Sequence, residues 1–154
     1  MLLICVAFGI GLIAGLRSLT APAIMSWAAR LGYLSLTDTW LAFLGYRWTP
    51  WIFSLLALGE IVNDKLPGTP SRKVPVQFAA RILMGALSGA SVTAPHGAIV
   101  AGLLAGALGA VAGTLGGAAL RARLAMALGK DLPVALLEDA IAIFGGLGLL
   151  SQLS

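Results

Sequence analysis

The chain has 154 residues, of which 59% are hydrophobic and only 10% are charged, with a formal net charge of +4. A soluble domain carries roughly 25% charged residues because its surface faces water; this composition therefore excludes an ordinary soluble domain and predicts an integral membrane protein in a lipid bilayer. The basic residues lie in short polar breaks and form no basic helix or patch, so nucleic-acid binding is not expected.

The first half of the chain contains two long apolar segments. The first extends from Leu2 to about Leu31, and a helix of that length would span about 45 Å. One upright crossing of a hydrocarbon core needs only about 30 Å, so a break is predicted near Pro22. The second predicted span is Trp40–Val62. It contains three aromatic residues typical of a membrane interface: Tyr46, Trp48 and Trp51.

Three further apolar segments follow a polar loop at residues 68–75. The predicted spans are Val76–Ala90, Gly97–Leu120 and Leu132–Leu150. The expected fold class is therefore all-α, a polytopic bundle of about five transmembrane helices, some of them broken, in a single domain of residues 1–154. The loops after the second and fourth spans are basic, and the positive-inside rule then predicts a cytoplasmic N-terminus for a five-span chain. The basic loop residues are Lys65, Arg72, Lys73, Arg121, Arg123 and Lys130.

Two pentapeptides suggest an internal repeat. Ser18–Pro22 and Ser91–Pro95 share four of five residues at an offset of 73 positions, from 22 to 95. This register predicts two related halves, 1–67 and 76–154, joined by loop 68–75. A rival register matches Lys65-Leu66-Pro67 with Asp131-Leu132-Pro133. Paired halves with broken helices at matching positions are typical of transporters, in which the breaks tend to mark the binding site.

Two adjacent acids inside the last predicted span are the leading candidates for function. Each of Glu138 and Asp139 would cost roughly 2.5 to 3.5 kcal/mol near the centre of a membrane helix. They therefore need protonation, a basic partner or water. One hypothesis is a cation or proton site in a polar cavity. The alternative is a structural ion pair with Arg17 or Arg81, which also lie in apolar segments.

A second acidic motif lies at the end of the second predicted span. Glu60, Asn63 and Asp64 are spaced i, i+3 and i+4, so they share one helical face. Three oxygen-bearing side chains there could attract a cation or hold a substrate amine. The alternative is a solvated helix end in which Lys65 satisfies Asp64 and the last carbonyls.

The two pentapeptides supply hydroxyl groups and, at their prolines, free backbone carbonyls. Such groups are tolerated at membrane depth only when they are buried in protein or line water. They are candidate substrate contacts, and the alternative is a simple helix kink or turn. The residues in question are Arg17, Ser18, Thr20, Ser91, Thr93 and His96. His96 is a candidate proton relay or, alternatively, a helix cap. Rows of glycine between Gly102 and Gly117 predict close helix packing.

Three segments resemble a bacterial membrane family known as domain of unknown function 4126. They are Gly15–Ser18, Glu60–Pro67 and Leu136–Asp139. The resemblance implies a helical protein of the bacterial inner membrane whose acidic motifs recur, and it implies no activity. Where relatives continue with an acidic residue after Gly68, this chain has Thr69-Pro70-Ser71-Arg72, as a subgroup would.

Two functions fit these observations. The first is a small transporter or channel-like protein, working as a homodimer, that moves a small solute, a cation or a proton past Glu138 and Asp139. The second is a structural or accessory membrane subunit whose acids only pair with arginines. No enzyme is expected, because the chain has no phosphate-binding glycine loop, no H-E-x-x-H pair and no G-x-S-x-G turn. With a lone Cys5 and a lone His96, no metal and no cofactor are expected.

Overall fold

The computed structural model describes residues 1–66 and 74–153, and its regular elements in these ranges are all helical. Six α-helices follow one another: α1 Leu2–Leu16, α2 Thr20–Arg30, α3 Thr49–Asn63, α4 Pro75–Thr93, α5 Ile99–Leu128 and α6 Leu132–Leu150. Short 3-10 helices cover Trp40–Gly45 and Ala94–His96. The all-α fold class is confirmed. Most of the predicted 68–75 linker, with Arg72 and Lys73, lies outside the described residues.

The first apolar segment is broken as predicted, but the break lies before Pro22. Helix α1 ends at Leu16 and α2 begins at Thr20. Pro22 therefore occupies the first turn of α2, where an N–H group has no intrahelical partner to lose. The proline is compatible with the start of a helix, and the interruption comes from residues 17–19.

The second predicted span, Trp40–Val62, is wrong at its start. The chain forms a 3-10 helix at Trp40–Gly45, whose first turn is capped by the Thr39 hydroxyl accepting from the Leu41 N–H. Helix α3 begins only at Thr49, with Pro50 in its first turn. A proline at this position favours a new helix start because its fixed φ angle suits the first turn.

Within the described ranges, two helices, α5 and α6, are long and apolar enough to cross a membrane, and α1 is a shorter apolar helix. Length and composition alone thus give a weak indication of membrane association. The number of spans that this supports is smaller than the five predicted from the sequence.

Glycine contacts hold α1, α4 and α5 together as the centre of the bundle. A Cβ atom added to Gly11 would overlap the carbonyl of Gly106, and one added to Gly106 would overlap the carbonyl of Gly85. Gly89 faces Gly102 in the same manner. The backbones therefore touch directly, as the glycine rows predict and as small residues permit between membrane helices.

The same contacts give the helix directions. Gly11 packs on Gly106 and Gly15 packs on Ala110, so residue numbers rise together and α1 runs parallel to α5. Helix α6 is antiparallel to α1, because its late residue Leu149 lies against Gly9. Consequently Met1 and the last turn of α6 lie at one end of the bundle. The ends of α1 and α5 and the start of α6 point towards the other end.

The internal repeat is not confirmed by the positions of its two pentapeptides. Ser18–Pro22 spans the break and the first turn of α2, whereas Ser91–Pro95 spans the last turn of α4 and the following 3-10 helix. One segment starts a helix and the other ends one. The equivalence of residues 1–67 and 76–154 therefore stays a sequence prediction.

Candidate functional site

Charged side chains converge at the end of the bundle where α1, α3 and α5 finish and α4 and α6 begin. Five of the six acidic residues of the chain take part. We call this set the charged cluster. Its members are Glu60, Asp64, Asp131, Glu138 and Asp139 with Arg17, Lys65, Arg81 and Arg121. The two acidic motifs predicted from the sequence thus belong to one site.

Arg17 lies at the centre of the charged cluster and is fully buried. Its Nη2 atom is 2.9 Å from Asp64 Oδ2, and its Nε atom is 2.7 Å from Asp139 Oδ1. The second contact is an ion pair without hydrogen-bond alignment, and Nη1 makes no hydrogen bond. Lys65 Nζ lies 2.6 Å from the other oxygen of Asp139. Arg17 therefore links the acidic motif of α3 to that of α6.

Arg121 forms a second hub near the end of α5. It donates to Asp64 Oδ2 at 2.6 Å and to both carboxylate oxygens of Asp131, and it lies 3.5 Å from Glu138 Oε2. Asp64 thus contacts two guanidinium groups. Burial works to raise the pKa of Asp64, but the hydrogen bonds and charges of Arg121 and Arg17 outweigh it and hold that pKa below its ordinary value. Asp64 is therefore ionised at neutral pH.

The carboxylate of Glu60 caps the first turn of α2. Its Oε1 atom accepts from the backbone N–H and the hydroxyl of Ser18, each at 2.9 Å, and Oε2 accepts from the Leu19 N–H at 2.9 Å. The N-terminus of a helix carries unsatisfied N–H groups and partial positive charge. A carboxylate supplied by α3 thus satisfies the start of α2, in place of a local capping side chain.

Arg81 caps the C-terminal end of α1 by donating hydrogen bonds to its last carbonyl groups. Its Nη1 atom donates to the carbonyls of Gly15 at 2.9 Å and Leu16 at 2.7 Å. Cations are favourable at the negative C-terminal end of a helix. Arg81 Nη2 also lies 3.3 Å from Glu60 Oε1, so the two capping groups form an ion pair across the break. This pair accounts for why the chain can break at residues 17–19 inside an apolar segment.

A cleft of about 390 Å³ opens beside the break, between α3 and α4. We call it the polar cleft. Six of its lining residues carry polar side chains: Ser18, Glu60, Asn63, Asp64, Gln77 and Arg81. Apolar residues of α3, including Leu55 and Leu56, complete the wall. The predicted motif Glu60, Asn63 and Asp64 therefore does share one face, and that face lines a cavity.

Glu138 and Asp139 do not line the polar cleft. Both are buried. Asp139 is held by Arg17 and Lys65, and Glu138 lies beside Arg121 at the edge of a small apolar groove of about 120 Å³. The alternative to a cation site was an ion pair between these acids and Arg17 or Arg81. Asp139 does form such an ion pair, with Arg17. Lys65 donates to the Ile61 carbonyl at 3.1 Å, as the alternative for the second motif expected of the last carbonyls of α3, but its ion pair is with Asp139 and not with Asp64.

The remaining candidate residues lie elsewhere. Thr20 is buried and borders a separate, largely apolar cavity between α2, α3 and α6. In α4, Ser91 donates to the Ser88 carbonyl at 2.7 Å, and Thr93 donates to the Ala98 carbonyl at 2.8 Å. His96 is exposed just beyond. At about 1.5 Å per residue, Thr93 is roughly 18 Å along α4 from the charged cluster. Ser91 and Thr93 therefore bond backbone carbonyls at the end of α4, away from the charged cluster.

Sequence reasoning did not single out Gln77 or assign Arg81 to the cleft. A signal was available, because the two are spaced i, i+4 and therefore share one face of α4. That face looks into the polar cleft opposite α3. The hub role of Arg121 carried no comparable local signal, since its partner Asp64 is 57 positions away in the chain.

Comparison with known proteins places the whole chain in one family. No curated protein and no solved structure matches it. A family model described as Domain of unknown function (DUF4126) matches residues 4–150, which include nearly all of α1, the charged cluster and all of α6. The chain belongs to this family, as its resemblance at Gly15–Ser18, Glu60–Pro67 and Leu136–Asp139 predicted.

Proposed function

We propose that this chain is a small membrane transporter or channel-like protein that binds a cation or proton in the polar cleft and moves it across the bilayer. The observation that carries the proposal is the cleft itself, which joins a helix break to the acidic motif of α3. Irregular backbone at membrane depth is tolerated where it lines a cavity, and broken helices mark the binding sites of many transporters.

The chemistry of the lining favours a cation. Two carboxylates, Glu60 and Asp64, line the cleft together with one guanidinium, that of Arg81, and the side chains of Ser18 and Asn63 add further oxygen atoms. Hard cations bind to such oxygen ligands. Asp64 is ionised, and it contacts two different arginines that a bound cation would have to displace. Movement of a cation past Asp64 would therefore loosen the contacts between α1, α3 and α5.

The distribution of charge suggests an orientation in a bacterial inner membrane. The charged cluster and the basic residues Arg123 and Lys130 lie at the same end of the bundle, and the positive-inside rule assigns that end to the cytoplasm. Because α1 runs parallel to α5, Met1 would then face the opposite side. A cytoplasmic N-terminus together with cytoplasmic basic loops suits five full spans. It does not suit a first segment that reverses after Arg17, as Ile13 of α1 and Ile24 of α2 show by packing at the same level of α6, against Gly145 and Gly146.

A second candidate function is a structural or accessory membrane subunit. The observation in its favour is that Asp139 and Glu138 lie against Arg17, Lys65 and Arg121 and away from the polar cleft. In such a protein the ion pairs of the charged cluster would only stabilise the packing of the helices. The glycine rows would then be sufficient to explain the fold, and no ion would move.

Flux through proteoliposomes separates the two functions. Purified protein is reconstituted, and uptake of H⁺, Na⁺ and Rb⁺ is followed with a trapped pH dye and radioactive tracers. We expect the wild type to move at least one of these ions and Asn63→Leu to reduce the rate about tenfold or more, as expected when an ion loses a polar partner worth about 1.4 kcal/mol. Leu108→Ala, on an exposed apolar face of α5, is the matched control and should keep the wild-type rate.

The outcomes are distinct. Equal flux in the wild type, Asn63→Leu and protein-free liposomes would overturn transport and leave the structural role. If Asn63→Leu kept the wild-type flux and Glu138→Gln lost it, the ion would pass the acid pair of α6 and not the polar cleft. The sequence analysis expected that route.

A further inference from the structure

Among residues 1–66 and 74–153, nothing buries the last part of α5. Thr114 is the final buried residue of this helix, although the helix continues to Leu128. Beyond Thr114 its large apolar side chains are exposed, among them Leu120 and Met126. A helix of 30 residues extends about 45 Å, longer than a hydrocarbon core of about 30 Å. Its end therefore reaches the level of lipid headgroups.

A groove separates this part of α5 from α6. It has a volume of about 120 Å³, and its walls are apolar. The side chains that form them include Leu120, Leu124, Val134, Leu137 and Ile141. Gly117 contributes no side chain, which keeps the groove open on the α5 side. Arg121 and Glu138 lie at its edge and contact each other.

Two exposed basic residues are close in the chain to the residues that line this groove, although neither lines it; we call these two residues its basic rim. Arg123 follows Leu120 by three positions and is its neighbour on the helix surface, and Lys130 lies in the turn between the two helices. Both are exposed, and neither makes an ion pair with any residue in 1–66 or 74–153. The nearest acid in sequence, Asp131, is bound by Arg121. The rim is therefore positively charged.

We propose that this groove binds an anionic phospholipid, with a few methylene groups of one acyl chain in the groove between α5 and α6 and the phosphate beside Arg123 and Lys130. Apolar walls below a basic rim match the two parts of such a lipid, and basic pockets between membrane helices bind anionic headgroups. A second copy fits less well, because a two-fold contact would bring the same positively charged surface of both copies together. The inference rests on the proposed membrane location and does not depend on transport.

Native mass spectrometry tests the site on the full-length protein in detergent. The protein is mixed with equal amounts of phosphatidylglycerol and phosphatidylcholine that carry identical acyl chains. A basic residue near an anionic lipid surface contributes about fivefold in affinity, so two contribute about 30-fold. We expect the wild type to retain phosphatidylglycerol selectively and Arg123→Gln/Lys130→Gln to lose that selectivity. Gly117→Leu, which fills the groove, should reduce the retention of both lipids.

The matched control carries the same change of charge at the other end of the bundle. Arg30→Gln/Arg47→Gln removes two basic residues that lie far from the groove along the helices, and it should keep the wild-type selectivity. Equal loss in the two double variants would show attraction by net charge alone and overturn the site. The lipid site would also be overturned if the wild type did not select between the two lipids. A stable dimer that Gly117→Leu abolishes would overturn it too, because the groove would then be a contact between two copies. Flux measurements are independent of each of these results.

Discussion

Replacing Arg17 by Met would test how strongly the charged cluster holds the helices together. Arg17 is fully buried, and its guanidinium lies 2.9 Å from Asp64 and 2.7 Å from Asp139. Removing one partner of a buried ion pair leaves an uncompensated charge and costs about 3 to 5 kcal/mol. Asp64 keeps Arg121 and Asp139 keeps Lys65, so we expect the lower end of this range, about 3 kcal/mol.

Equilibrium unfolding in mixed micelles, followed by circular dichroism as the denaturing detergent is increased, would measure this loss. Arg47→Met is the control, because Arg47 is exposed and its guanidinium lies over the ring of Trp48, at 5.4 Å; it should cost less than about 1 kcal/mol. The double variant Arg17→Met/Asp139→Leu should recover about 1 kcal/mol or more of the loss. If Arg17→Met were no more destabilising than Arg47→Met, the cluster would not stabilise the bundle.

Three further predictions concern packing, pH and the helix break. Gly106→Val should destabilise the bundle by about 1 to 3 kcal/mol in the same unfolding assay, since its Cβ meets the backbone of α4, whereas Gly116→Val, which meets open space, should change little. The pKa of Asp64 is lowered in the folded state, so its contribution to stability is complete above its ordinary value of 3.8 and is lost as pH falls through the lower folded value; an acid titration of unfolding should therefore be shallower in Asp64→Asn. Glu60→Gln turns an amide donor towards the N–H groups of Ser18 and Leu19, just before α2, and these two amides should lose protection from hydrogen exchange by about tenfold or more, for a loss of about 1.5 kcal/mol; unchanged protection would contradict the capping role.

The sequence predicted the helical class and the bounds of α6, because a long apolar segment with Asp131 and Pro133 at its start contains its own boundary signals. It also predicted that the first segment breaks. The position of the break could not be read locally, since Pro22 suggested one place and the actual cap, Glu60, lies 42 positions from Ser18. Long-range hydrogen bonds leave no periodic pattern in a sequence.

The candidate site was partly predictable for a similar reason. The spacing of Glu60, Asn63 and Asp64 placed them on one face, and the need to compensate Asp139 pointed to Arg17 as one possible partner. Which carboxylates face a cavity and which face arginines depends on how α5 and α6 are placed relative to α1. The glycine contacts that fix this placement are visible only in three dimensions.

Cysteine labelling tests the central claim, that water and ions reach the polar cleft inside the membrane-embedded bundle. In a Cys5→Ser background, the single cysteine of Ser18→Cys lies in the cleft at the helix break, and that of Leu108→Cys lies on an exposed apolar face of α5. A thiol reacts with a charged maleimide only where water can ionise it. In vesicles, Ser18→Cys should be labelled and Leu108→Cys should not. If Ser18→Cys in folded protein were as inert as Leu108→Cys, the cleft would be dry and the proposed pathway would be contradicted.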